Sequence, residues 1–246
     1  MSDVRRWDRL TRTEIRELAP DALLVVPVGS TEQHGPHLAT GTDALIATAI
    51  AERAAAAASR PETILLAPTL AYGASDHHLA FGATLSLGIE TFQAVLRDLL
   101  ASAAAAGCRR VFVLNGHGGN KAACAIAVAE ASRDLGLVAA TALASDLVDP
   151  AELEGPISGH AGSFETSLVL ALDPDRVRLE RARPSPGGPA RSRARGLVVG
   201  EPGRWQELDG FTDRPDEASA GRGERALAAC VAAAAAAFEE VAAIGD

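Results

Sequence analysis

At 246 residues and 48% hydrophobic, the chain can bury a full α/β core as one domain over residues 1–246. A net charge of −9 argues against the basic face of a nucleic-acid binder and the polybasic cluster of a membrane-surface protein. Cys108, Cys124 and Cys230 are odd in number and widely spaced, with no CxxC pair, so they read as small buried hydrophobes rather than a disulfide framework.

The first twenty residues are charged and lack the apolar core of a secretion signal, and the apolar runs further on are Ala-rich and interrupted. The expectation is a cytoplasmic protein with no membrane span. The Arg-rich stretch 176–195 is broken by Pro and Gly and reads as a solvated connection.

In chain order, Ala22–Val28 has the length and branching of a buried strand. A polar loop, Gly29–Thr42, leads to a helix over Asp43–Ala58 with Thr42 as its N-cap. Thr63–Ala67 is a second strand, and the long loop Pro68–Gly88 that follows is of a length that is usually functional. Ile89–Ala106 is helical and ends at Gly107. Arg110–Leu114 is a third strand, running into Asn115-Gly-His-Gly-Gly-Asn120 and a helix over Lys121–Leu135. Leu137–Ala142 is a fourth strand, and Gly162–Leu172 a further helix. Pro184–Pro189 is a turn-rich connection, Leu197–Val199 a short edge strand, and Glu217–Ala243 a closing helix. This alternation predicts a three-layer α/β/α sandwich around a mostly parallel sheet.

Ligand sites in such folds form beyond the carboxyl ends of the strands. The loops after the four strands carry all six histidines: His34 and His37, His77 and His78, His117, and His160. Glu32 and His34 lie two apart on an extended segment and face the same way, a donor pair suited to Zn²⁺, Mn²⁺ or Fe²⁺. Asp43, at a helix start, either bridges two metals or merely stabilises the helix N-terminus. In 115–120 the glycines allow a sharp turn and close ligand approach. The glycines also resemble a nucleotide-binding loop, but neither GxGxxG nor GxxxxGK[ST] is present. Ser158-Gly-His-Ala-Gly-Ser-Phe-Glu-Thr166 offers His160 and Glu165, the latter as ligand, base or helix-end charge. Ser75, Asp76, His77 and His78 are available for substrate contact, or belong to an ordered Ω-type loop. No GxSxG elbow surrounds Ser30 or Ser163, so activated water is favoured over a covalent nucleophile.

Together, Val26-Pro-Val-Gly-Ser-Thr-Glu-Gln-His-Gly-Pro-His37 with Asp43, Asn115-Gly-His-Gly-Gly-Asn120, and His160-Ala-Gly with Glu165-Thr-Ser resemble the creatininase (creatinine amidohydrolase) family. The resemblance implies a binuclear metal-dependent amidohydrolase that holds two divalent ions (Zn, Mn or Fe) and assembles as a homo-oligomer, often a hexamer. Glu32, His34, Asp43 and His117 match metal ligands, with Asp43 bridging. His160 matches a catalytic histidine that contacts substrate and shuttles protons.

Two departures stand out. Creatininase has a carboxylate ligand where this chain has Gly119, which makes Glu165 the replacement both as ligand and as catalytic group. No aromatic residue lies between Asp146 and His160, where creatininase closes tryptophans over its flat substrate. The Tyr72–Gly88 loop is more similar to peptidases of mycofactocin biosynthesis, although Ala83 replaces their glycine and Gly210–Pro215 departs from their C-terminal segment. The expected substrate is therefore a small-molecule or peptide amide, read in part by Ser75, His77 and His78. The alternatives are a cyclic-amide or formamide hydrolase, and a non-catalytic small-molecule or nucleotide-binding subunit.

Overall fold

The computed structural model describes residues 4–153, 159–187 and 199–245. Its strands are β1 (Arg5–Arg6), β2 (Leu23–Val28), β3 (Ile64–Leu66), β4 (Arg110–Asn115) and β5 (Val138–Leu143). Its helices are α1 (Arg12–Leu18), α2 (Thr42–Ala57), α3 (Ile89–Ala105), α4 (Lys121–Leu135), α5 (Ser163–Leu172), α6 (Arg204–Glu207) and α7 (Ala220–Ala242). The strands form one parallel sheet in the order β1-β3-β2-β4-β5. Every residue of β2 and β4 is buried, as a parallel strand covered on both faces requires.

Side chains alternate across β2. Leu23 and Val25 join a core built with α2, α5 and α7, while Leu24, Val26 and Val28 join one built with α1, α3 and α4. The result is the three-layer α/β/α arrangement the pattern predicts. From β2 the chain crosses through α2 to β3, and from β3 through α3 back past β2 to β4. The connections therefore diverge between β2 and β4, which opens a crevice at their carboxyl ends.

Several local expectations change. The helix begins at Thr42 itself, and the Thr42 hydroxyl donates to the Ala39 carbonyl instead of capping; Gly41 holds the cap position. The closing helix starts at Ala220, where Ser219 accepts from the Arg222 N–H, because Pro215–Glu217 forms a separate 3-10 turn. Another 3-10 turn, Asp76–Phe81, orders the middle of the Pro68–Gly88 loop. Edge strand β1 and helix α1 were not anticipated; α1 opens with a capping box between Thr11 and Glu14. Of the expected edge strand at 197–199, residues 197 and 198 lie outside the described residues, and Val199 is in no regular element. Among the described residues, no helix is long and apolar enough to cross a membrane.

The last helix is locked to the sheet by Phe238, fully buried and edge-on to Phe112 of β4 with ring centroids 5.1 Å apart. Phe238→Ala should cost about 3–5 kcal/mol. Urea denaturation of both proteins measures it, and a loss below about 1 kcal/mol would mean that α7 does not pack this way in solution.

Candidate metal centre

The site forms where the ends of β2 and β4 meet the first turn of α2. A Cβ at Gly29 would come within 2.6 Å of the Ala44 nitrogen, and one at Gly116 within 2.8 Å of the Asp43 carbonyl oxygen. Only glycine at both strand ends lets α2 settle here, and this contact brings Asp43 over the sheet. The loop after β2 supplies Glu32 and His34, pinned by the Glu32 N–H donating to the Thr40 carbonyl.

Glu32 is 0% exposed and Asp43 2%. Asp43 reaches two histidines with different oxygens: Oδ1 lies 3.0 Å from His34 Nε2, and Oδ2 lies 3.0 Å from His117 Nδ1. Glu32 Oε1 lies 3.2 Å from His117 Nδ1, 3.3 Å from His160 Nδ1 and 3.9 Å from His78 Nε2. Three overlapping donor sets result: Glu32, His77 and His117; Glu32, His34 and His160; and His34, Asp43 and Glu165, each with its donor atoms within 4.8 Å of one another.

The far nitrogen of each central histidine is tied to a backbone carbonyl. His34 Nδ1 is 3.1 Å from the Glu32 oxygen, His117 Nε2 3.1 Å from the Ala74 oxygen, and His160 Nε2 2.8 Å from the Gln33 oxygen. A carbonyl can only accept, so each ring places a proton there. The near nitrogen of a neutral ring is then a bare lone pair facing a carboxylate, the arrangement of a ligand histidine with its supporting shell. Both Glu32 oxygens and Asp43 Oδ2 are buried without a hydrogen-bond partner. Lone pairs meeting in a buried space repel unless a cation lies between them. These residues fit a divalent metal centre, and their imidazole and carboxylate donors suit Zn²⁺, Mn²⁺ or Fe²⁺.

The protonation equilibria register the same demand for positive charge. Burial opposes charge on His34, yet Asp43 first, then Glu165 and Glu32, overcome it and raise its pKa to about 9. Burial likewise opposes charge on His117, and Asp43 and Glu32 carry it well above the usual value. Asp43 is held well below the carboxylate range by His34 and His117 despite its burial. Burial lifts Glu165 to about 7 against the pull of His34. Burial lowers His160 strongly and His78 to about 3.

The other expected site residues occupy varied positions. Glu165, in the first turn of α5, is half-buried, and its Oε2 accepts the Ala161 N–H at 2.5 Å. His77 is exposed, with its ring stacked on His117 at 5.9 Å. His78 is fully buried between His160, 4.1 Å away and nearly parallel, and Trp205, 4.6 Å away and edge-on. Ser75 is also fully buried, bonded to Ser30 and 3.2 Å from His117 Nε2, so it braces His117. Gly119 leaves no room for a side chain: a Cβ there would collide with the Ala74 carbonyl and the His117 ring, the same pair that hydrogen-bond.

Three supports were not anticipated. Asn120 joins the loops, accepting from Ala74 N–H and donating to the Gly29 carbonyl. The segment 210–213 frames the His160 turn: Thr212 Oγ1 accepts from His160 N–H, and Asp213 accepts from Ser163. Trp205, on α6, sets its ring against His77, His78 and His160. One of two tryptophans in a chain with 4% aromatics, it was the available signal for that wall.

Gly119→Ala should displace the His117 ring and weaken divalent-ion binding by roughly 10–100-fold, the range for disturbing a ligand's support. Titration of the metal-stripped protein with Zn²⁺ measures this, with circular dichroism expected to stay unchanged. Equal affinity in both proteins would remove His117 from the centre.

The chain is similar to several known proteins. The family model described as Creatininase: Creatinine amidohydrolase matches residues 8–238. The mycofactocin precursor peptide peptidase of Mycobacterium tuberculosis is 38% identical over 230 residues, covering 90% of this chain and 85% of that protein. The creatinine amidohydrolase of Pseudomonas putida is 32% identical, covering 89% of each. A solved structure named Creatininase Mn superposes with a TM-score of 0.82 at 31% identity, covering 97% of this chain and 98% of the other. The chain belongs to the creatininase family of amidohydrolases.

Proposed function

We propose that this protein is a binuclear metal-dependent hydrolase that cleaves a C–N amide bond of a peptide, in the manner of a mycofactocin precursor peptide peptidase. The observation that carries the reading is the Asp43 carboxylate, whose two oxygens face two different histidines at 3.0 Å each. On this reading Glu32, His34, Asp43, His77, His117 and Glu165 are the residues that would hold the ions. Bound there, divalent ions supply Lewis acidity, polarising a carbonyl and making water acidic enough to ionise near neutral pH.

The chain's own groups do the rest. His160 presents Nδ1 to the site and anchors Nε2 on the Gln33 carbonyl, so Nδ1 is the atom that carries a proton to the leaving nitrogen. His77 and Trp205 form the wall against which the substrate lies. The 38% identity to the mycofactocin peptidase supports a peptide over creatinine, as does the lack of an aromatic residue between Asp146 and His160. The loop after β3 and the start of α3 also leave Tyr72, Leu79, Leu85 and Ile89 exposed, which supports association of several copies of the chain.

Protein purified without chelator should contain close to two equivalents of Zn, Mn or Fe by element analysis. It should release a C-terminal fragment from a mycofactocin precursor peptide and leave creatinine intact. Asp43→Ala should lower both metal content and turnover, the latter by roughly 100-fold or more. Full activity of metal-free protein would overturn the reading.

A further inference from the structure

Gln33 has an amide whose orientation is fixed by two backbone groups. Its Oε1 accepts the Gly35 N–H at 2.9 Å, and its Nε2 donates to the Gly210 carbonyl at 2.6 Å. The second hydrogen of Nε2 points at His78 Nδ1, 2.9 Å away. His78 Nδ1 must therefore accept, because a protonated Nδ1 would set donor against donor. The 3.2 Å approach of Gln33 Nε2 to His160 Nε2 is a packing contact, since His160 Nε2 already donates to the Gln33 carbonyl. The His78 proton thus resides on Nε2.

That N–H has no hydrogen-bond partner although His78 is 0% exposed. Glu32 Oε1, the atom on which His117 and His160 converge, lies 3.9 Å away. His160 on one side and Trp205 on the other hold the ring in place. A buried donor left unmet is costly, and it is tolerable where a ligand completes it. A neutral imidazole N–H, prepositioned and shielded from water, is suited to an oxygen that gains negative charge during reaction.

We infer that His78 Nε2–H is the donor that binds the carbonyl oxygen of the scissile amide and stabilises the charge that develops on it, with Gln33 as the positioning residue that sets its tautomer. This rests on the amide-hydrolase reading above. It assigns His78 the role of an electrophilic donor, neither a metal ligand nor a proton carrier.

Three readouts test it. Long-range ¹H–¹⁵N correlation spectra of the intact metal-loaded protein should show His78 protonated at Nε2 and bare at Nδ1. His78→Phe, which keeps the ring packing and removes the donor, should lower kcat by roughly 100- to 1,000-fold with little change in KM and an unchanged metal content. His78→Gln, which restores an N–H near the same place, should recover at least about tenfold of that loss, equivalent to ~1.4 kcal/mol. A proton on Nδ1, loss of bound metal in His78→Phe, or no recovery in His78→Gln would each overturn the assignment. If His78→Phe does not fold, the spectrum and the Gln variant decide. If the unaltered protein hydrolyses no amide, the proposed function fails by itself, and the spectrum still decides the tautomer.

Discussion

Two carboxylates, Glu32 and Asp43, are closed off from water at the end of a parallel sheet, and three of their four oxygens have no hydrogen-bond donor. Isolated buried anions of this kind are among the costliest features a fold can contain. Among the described residues, no Lys or Arg neutralises them, and the ion pairs formed by Glu32 and Asp43 run to histidines. Three of those histidines, His34, His117 and His160, have committed one ring proton each to a backbone carbonyl. What the carboxylates require is therefore a compact positive charge that accepts several lone pairs at once, which is what a divalent ion supplies.

The fold makes this concentration of charge possible by placing it at a topological switch point. Between β2 and β4 the connections run to opposite faces, so no crossover covers the strand ends. Glycines at both ends admit the start of α2, and Asp43 arrives from a rigid helix rather than a loop. Asn120 then fixes the loops after β2, β3 and β4 to one another through two backbone hydrogen bonds. The geometry of the donors is thereby set by the two apolar cores beneath them, Leu23, Val25 and Phe112 on one face and Val26, Val111 and Val113 on the other.

The gathering of Glu32, His34, Asp43, His117 and Glu165 at one place was legible because each sits in a short motif directly after a strand or at a helix start, where sequence spacing still determines spatial placement. The sheet and most helices were legible for the same reason, since hydrophobic period is local. Other features depend on contacts across long separations. Gln33 meets Gly210, and His160 meets Thr212, through turns whose geometry no local pattern encodes. The contacts of Ser75 with Ser30 and His117 likewise join loops far apart in the chain. β1 is two residues long, too short for any period, and its place beside β3 follows from register alone. Gly119 was legible only as a missing carboxylate. The structure gives a positive reason for it: the His117-to-Ala74 hydrogen bond occupies the space where a side chain would stand.

The same contacts weigh against the glycine-rich turn after β4 as a phosphate cradle. A cradle needs successive backbone N–H groups free and pointing at one anion. Here the His117 N–H donates to Asn115 Oδ1, the Asn120 N–H donates to the His117 carbonyl, and Asn115 Nδ2 closes on that same carbonyl. The turn satisfies its own polar groups and spends its conformational freedom on presenting one imidazole. An anion approaching it would also meet Glu32 and Asp43, both held for a cation. The turn is thus built around the His117 ring, and the glycines serve that ring, which has the Ala74 carbonyl behind it and two carboxylates in front.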